Sequence, residues 1–340
     1  EHRRDGGTRM ALRFDVPDPR DLAGLLPELA PLGGLGVAVQ GEATLDLAAG
    51  GAVAAATLAV RAGAGRVVHA GLPGGTLDLS AATGRLAWNA ATGRATVEDL
   101  FLDLGGPTVA VTGEASGVGP DIVERLREGR AAVRLSAEAA IVDLPTPTLW
   151  RLWPASLVPG GRRWVVANIA DGRVRDAQIK VAATLVPGGG EPRVDRLDGV
   201  FAYEGLTVTY MPGLPPVRQA QGTARFDDQQ LVLDVAGGTL GRQTRVERST
   251  VRVLDFQKTQ QQIVIETGTT GPAREALEVI DRPRLGFLAR FGLKPADVSG
   301  DSTVRMSFAF PAIDSLRMDD VRLKVTAAVK RGSMPAGVRD

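Results

Sequence analysis

Apolar and polar residues alternate with a period of two over long stretches of this chain, which is the pattern of a strand with one buried and one wet face. In Arg9–Val16, Met10, Leu12, Phe14 and Val16 oppose Arg13 and Asp15. In Gly36–Leu47, Val37, Val39, Ala43, Leu45 and Leu47 oppose Gln40, Glu42, Thr44 and Asp46. Across Ala131–Val142, Val133, Leu135, Ala137, Ala139 and Ile141 oppose Arg134, Ser136 and Glu138. Further on, Ile179, Val181 and Leu185 face away from Gln178, Lys180 and Thr184, and Leu206, Val208 and Tyr210 away from Thr207 and Thr209. Gly222–Phe226 and Leu231–Val235 read as a hairpin, with Leu231 and Leu233 on its apolar side. Val304, Met306, Phe308 and Phe310 oppose Arg305 and Ser307, and Val321, Leu323, Val325 and Val329 oppose Arg322, Lys324 and Thr326.

Several of these runs exceed the usual strand of about five or six residues. Turn clusters separate them, among them Gly105-Gly106-Pro107, Gly117-Val118-Gly119-Pro120 and Pro187 to Gly190. Long alternating strands joined by tight turns predict an antiparallel meander, since βαβ units would need helical crossovers.

Short helices are predicted at a few points. Asp18 caps a turn opened by Pro19 and running toward Leu26, and Asp121 caps Ile122–Arg127. Thr146 caps a helix with Pro147 at its first position, carrying Leu149, Trp150, Leu152 and Trp153. A second helix runs from Gly161 to Ile169 and closes at Gly172. Arg274–Ile280 and Pro283–Phe291 read as a broken amphipathic pair ending at Gly292. The expected division is an N-terminal β segment with short helices over 1–144, a helical connector over 145–172, and a second β segment over 173–335 with a helical pair near 274–292.

Composition narrows the chemistry. Aromatic residues are 4% of the chain and cysteine is absent, so stacking platforms are scarce and disulfides, thiolate metal sites and cysteine nucleophiles are excluded. The net charge of +1 lacks the basic excess of a phosphate-binding nucleic-acid protein. The best apolar run, Ala52–Val60, is half the length that crosses a bilayer. Glu1 is not a natural start and no signal peptide is visible, so a segment of a longer protein is expected, with any anchor outside it.

Catalytic patterns are weak. Of the two histidines, His2 lies at the terminus and His69 in a Gly-rich stretch, with no G-x-S-x-G elbow to accompany it. Gly71–Gly75 is a turn and no phosphate cradle, and no metal-ligand spacing occurs. Asp227, Asp228 and Asp234 are the best carboxylates for a glycosidase pair, and read as solvated loop and strand-face acids. Arg162-Arg163 before Trp164, and Arg282 and Arg284 around Pro283, are cations for lipid phosphate or an acidic surface, or the solvated side of a helix. The expectation is a protein that is not an enzyme, with no cofactor, no metal and no nucleic-acid partner. What is unusual is the amount of one-sided apolar strand, more than the few short helices cover. A closed sandwich, a self-filled barrel and an open sheet holding acyl chains all answer to it.

The order of elements between Leu144 and Val329 resembles the AsmA-like superfamily of bacterial envelope proteins, specifically its YhdP-type branch, related to TamB. The residues that carry the resemblance begin with Leu149-Trp150-Arg151-Leu152-Trp153-Pro154, Arg162-Arg163-Trp164-Val165 and Asn168-Ile169 before Gly172. They continue with the strand Val174–Leu185, Phe201 to Tyr210 leading into Leu214-Pro215-Pro216-Val217, the hairpin, Arg282 to Leu288, and Gly300–Phe310 with Pro311. The resemblance implies a mainly β fold, an elongated, curved antiparallel sheet forming a hydrophobic groove of β-taco or jelly-roll type with a few short helices. It implies a periplasmic module, anchored in the inner membrane by a helix outside this chain, that carries phospholipid between inner and outer membranes and supports outer-membrane integrity. The family brings no catalytic residues. From alternation, the groove candidates are Val37, Val39, Leu45, Val133, Leu135, Ile179, Val181, Leu206, Val208, Tyr210, Leu231, Leu233, Val304, Met306, Phe308, Leu323 and Val325. The alternative is an assembly factor for outer-membrane proteins that acts by strand addition.

Overall fold

The computed structural model describes residues 7–25, 27–69, 72, 74–119, 121–122, 125, 128, 132–153, 159–185, 193–210, 215–255, 258, 260–281, 294–313 and 317–333. The turn at Pro187 to Gly190, the basic residues around Pro283, the helix over 283–291 and most of the helix after Asp121 lie outside them. Eighteen strands and three short α-helices account for most of the described chain, and the strands pair antiparallel. The chain forms two compact units, one of residues 1–144, 151–155 and 176–199, the other of residues 145–150, 156–175 and 200–340.

The first unit is a meander. Strand β1 (Thr8–Val16) pairs with β2 (Leu35–Leu47), β2 with β3 (Val53–Val68), and β3 with both β4 (Thr76–Leu79) and β5 (Ala81–Asn89). The ladder goes on through β6 (Arg94–Asp103), β7 (Thr108–Ser116) and β8 (Val133–Pro145). The alanine-rich run at Ala52–Val60 is thus the start of a 16-residue strand, long because its two halves serve different partners. Where β3 passes from one to the other, Gly65 has φ +155° and a Cβ there would lie 2.2 Å from the Gly36 carbonyl. The register slips beside it, between Val37 and Val39, so glycine permits the bulge that divides β3.

Charged pairs on the polar face lock this register. Arg9 meets its direct partner Asp46 at 2.7 Å, Arg66 meets Asp78 at 2.6 Å, and Arg94 reaches Glu114 at 2.9 Å. Exposed pairs contribute only about 0–1 kcal/mol each. Their effect is to penalise a one-residue slip, which would turn every apolar side chain to the wet side.

The second unit holds β9 (Ile169–Ala170), the C-terminal part of β11 (Arg193–Val208), β12 (Val217–Phe226), β13 (Leu231–Leu240), β14 (Thr244–Val246), β15 (Ser249–Leu254), β16 (Gln262–Pro272), β17 (Ser299–Pro311) and β18 (Arg322–Ser333). Strand β10 (Arg173–Leu185) lies mostly in the first unit. The expected hairpin is present as β12–β13, with Phe226 opposite Leu231 and Asp227 accepting from the Gln229 and Gln230 amides at 2.8 and 2.9 Å. Tyr203, Leu206, Ala220 and Ala224 form a closed core cluster in this unit. Tyr203 and Leu206 are three apart, a spacing that alternation forbids, and Gly205 between them has φ +71°, which brings both to one side.

The helices are α1 (Thr146–Leu152), α2 (Pro159–Asn168) and α3 (Ala273–Ile280). Asp18 caps as expected, accepting from the Arg20 amide at 3.1 Å, but the turn it opens ends at Leu22. Thr146 does not cap α1. Its hydroxyl donates to the Asp171 carbonyl at 2.6 Å, so the side chain that was to satisfy the helix instead ties it to the turn before β10. Helix α2 ends at Asn168, and Ile169 already belongs to β9.

Candidate functional site

The pairing registers turn strand-by-strand alternation into a surface. Directly opposed residues of antiparallel strands share a face, so a row can be followed from partner to partner. In the second unit one row runs Ala224–Leu233–Val251–Ile265–Phe308–Leu323 from β12 to β18. Its neighbour on one side runs Phe226–Leu231–Val253–Ile263–Phe310. On the other side Met306 lies between Thr267 and Val325. The intervening row, Arg225–Val232–Arg252–Val264–Ala309–Arg322, mixes cations with aliphatic residues, and its side of the sheet carries Arg225 against Asp234 at 2.7 Å and Arg252 against Glu266 at 3.4 Å.

The first unit builds the same kind of face. One row runs Leu12–Ala43–Leu58–Leu86–Val97–Gly113–Ala137, and another Val16–Val39–Ala62–Ala82–Leu102–Val109–Ile141. A third joins Met10, Leu45, Ala56, Trp88, Ala95, Ala115 and Leu135. None of these positions is charged. Strands spaced about 4.8 Å apart give these seven-strand rows a breadth of roughly 29 Å, more than the roughly 15 Å hydrocarbon depth of one bilayer leaflet.

Along β8 the residues from Arg134 to Ile141 alternate strictly between exposed on the polar side and half-buried on the apolar side. A face packed under a second layer would be buried throughout, and these faces are not. Met10 and Leu12 are 53% and 63% exposed, and Leu323 and Val325 are 44% and 50% exposed.

The predicted residues divide accordingly. Val39, Leu45 and Leu135 join the rows of the first unit, and Leu231, Leu233, Met306, Phe308, Leu323 and Val325 those of the second, with Val304 next to Met306 on its strand face. Ile179 and Val181 are half-buried and flank Lys180, whose ammonium meets Glu138 of the polar face at 2.9 Å. Val37 and Val133 are fully buried, Leu206 belongs to the closed cluster around Tyr203 together with Ala224, and Val208, Leu231 and Leu233 pack against it, so all of these contribute packing and the β12–β13 end of the second unit's face is the least open. Tyr210 lies beyond the end of β11 at Val208, because the chain leaves the strand after Thr209 donates to the Asn168 carbonyl. The contributions of β5, β6, β7, β15 and β16 were not foreseen. Val251 and Val253 did alternate with Thr250 and Arg252, but Ile263-Val264-Ile265 is a continuous apolar run that gives no period.

Polar groups elsewhere are occupied by structure. Asp234 pairs with Arg225, and His69 closes the β3–β4 connection through its backbone. The Glu275 carboxylate of α3 reaches the β13–β14 turn, where burial opposes its charge but the Gln243 and Thr244 amides and the Thr244 hydroxyl, at 2.8–3.1 Å, outweigh it and lower its pKa. Burial beside the Asp234 charge pushes the Tyr203 phenol up to about 12. Among the described residues no group of three or more His, Asp or Glu is placed to hold a metal ion. No helix of the described residues is long and apolar enough to cross a membrane.

These features define a mainly β, antiparallel protein with a continuous, uncharged and half-open apolar face in each unit. The family model for the YhdP protein matches residues 39–333, and the chain belongs to that family, a family of bacterial envelope proteins. The match takes in both units, whereas the motif resemblance began only at Leu144. A comparison with curated proteins and one with solved structures each returned no match.

Proposed function

We propose that this chain is a lipid-transport module of the bacterial periplasm, whose apolar sheet faces form a groove for phospholipid acyl chains moving between inner and outer membranes. The observation that carries this reading is the unbroken register of uncharged residues across six or seven strands in each unit, left half-exposed. Each methylene transferred from water to such a face gains roughly 0.8 kcal/mol, so acyl burial supplies affinity without polar recognition. A wall with few hydrogen-bonding groups selects weakly among headgroups and allows a lipid to slide. Holding and passing a lipid needs no catalytic group, cofactor or metal. In this reading the module works from an anchorage in the inner membrane.

Strand addition to outer-membrane proteins has one observation in its favour. Strand β18 pairs with β17, all twelve of its residues are exposed, and no strand is paired to its other side among the described residues. That edge carries Arg322, Lys324, Lys330 and Arg331, the kind of charge that guards an edge against pairing. Lipid binding is therefore the reading we hold.

Native mass spectrometry of the chain purified from an envelope fraction tests it. Phospholipid adducts that disappear on delipidation and return with added phosphatidylethanolamine are expected. A chain that never carries lipid but crosslinks through β18 to unfolded barrel proteins overturns the reading in favour of strand addition.

A further inference from the structure

Helix α2 is amphipathic the wrong way round. Its exposed positions are Gly160, Arg163, Trp164, Val166 and Ala167, four of which follow the i, i+3, i+4, i+7 spacing of a single helical stripe. On a solvated helix that stripe is polar. Here it presents Trp164 at 45% exposure with Gly160, Ala167 and the neighbouring Arg163, while Val166, 41% exposed, lies off the stripe. The polar residues are turned inward instead. Half-buried Arg162 donates to the Trp150 carbonyl at 3.1 Å, and half-buried Asn168 donates to the Trp164 carbonyl at 2.8 Å.

The local composition has the same bias. Residues 145–170 contain three of the four tryptophans of the chain, three arginines, and no aspartate or glutamate. In a chain with nearly equal numbers of acidic and basic residues, this span is one-signed and aromatic. An indole and a cation on one helical stripe match the headgroup region of a bilayer, where the ring is half in hydrocarbon and the guanidinium meets phosphate.

We infer that the outward stripe of α2 docks onto the surface of an anionic phospholipid bilayer, with Trp164 entering the interface and Arg163 pairing with phosphate. This site is separate from the sheet faces and does not rest on their holding acyl chains. Basic residues near an anionic surface each strengthen binding about five-fold, an effect that salt screens.

The test is co-sedimentation of the purified chain with vesicles of phosphatidylglycerol and phosphatidylethanolamine, against vesicles of phosphatidylcholine alone. The expected results are salt-sensitive binding to the anionic vesicles, a partition about five-fold lower for Arg163→Gln, and a larger loss for Trp164→Ser with its blue-shifted emission gone. Both positions are exposed, and unchanged circular dichroism identifies variants that remain folded. The Leu323→Asp/Val325→Asp variant, altered only on the sheet face, is expected to bind vesicles as the unmodified chain does while its acyl loading falls. Absence of vesicle binding, equal partition of the α2 variants and the unmodified chain, or loss in the sheet-face variant alone overturns the inference. A concentration-dependent dimer abolished by Trp164→Ser, without vesicle binding, also overturns it and assigns the stripe to a second copy of the chain.

Discussion

Phe308 of β17 and Leu323 of β18 are directly opposed in the ladder, and while Phe308 is half-buried Leu323 is 44% exposed. The apolar row therefore reaches an outer strand without being closed over. A charge at Leu323 or Val325 stays in contact with water, so Leu323→Asp and Val325→Asp are expected to change folding stability by about 1 kcal/mol or less. Any acyl chain lying along this row would meet an uncompensated carboxylate, which is costly in an apolar environment. The expected outcome is a thermal transition close to that of the unmodified chain together with a several-fold fall in bound phospholipid. Full lipid loading in the double variant would remove this part of the face from the proposed groove.

The bond from the Thr146 hydroxyl to the Asp171 carbonyl joins the start of α1 to the turn that precedes β10, and Thr146 is only 3% exposed. Replacing it by Val keeps the shape but takes this donor from the carbonyls of Asp171 and Gly172. The expected cost for Thr146→Val is about 1–3 kcal/mol, read as a lower urea midpoint. Thr146→Ser keeps the hydroxyl and is expected to lose less. Equal midpoints for Val and the parent residue would show that the hydroxyl carries no net stability there.

What the sequence disclosed and what it hid follow from physical range. Alternation is local, so β1, β2, β8, β17 and β18 were legible with boundaries close to those observed. Strand β3 was not recognised because alanine and glycine weaken the contrast between its faces. The face shared by Tyr203 and Leu206 was not predictable from period two, since the positive φ at Gly205 breaks the period. The Thr146 bond joins residues 25 apart, and a cap-like sequence offers no means of foreseeing that partner. The same limit applied to the candidate site. Alternation named single residues such as Leu45 and Phe308, but only the registers show which of them stand side by side, and that Leu206 is used for packing instead.

Glu275 holds the turn between β13 and β14 to α3 by accepting from the Gln243 and Thr244 amides and the Thr244 hydroxyl. Its pKa is lowered in the folded chain, so its contribution to stability is complete above the ordinary carboxyl value of 4.5 and is lost as pH falls through the lowered one. Amide exchange followed by mass spectrometry is expected to show the Gln243–Thr244 turn opening faster below that range. In Glu275→Ala the turn is expected to exchange fast at every pH. A parent chain whose turn protection is flat from neutral to strongly acidic pH would contradict the assignment.

The opposite limb of the pH profile belongs to Tyr203. The residue is 4% exposed inside the cluster with Leu206, Ala220 and Ala224, and burial there raises its phenol from 10 to about 12. The folded chain keeps this proton where the unfolded chain has released it, so between pH 10 and 12 the unfolded state binds fewer protons and stability falls as pH rises. The contribution is fully present below pH 10 and is exhausted above the folded value of about 12. A shift of this size corresponds to about 2–3 kcal/mol. Tyr203→Phe keeps the ring packing and removes the titration. The variant is therefore expected to unfold at a higher pH than the parent in an alkaline denaturation series and to lose the late-titrating component of the phenolate absorbance. Identical alkaline midpoints for the two proteins, with Tyr203 absorbance rising near pH 10, would show that the phenol is solvated and that the cluster is open to water.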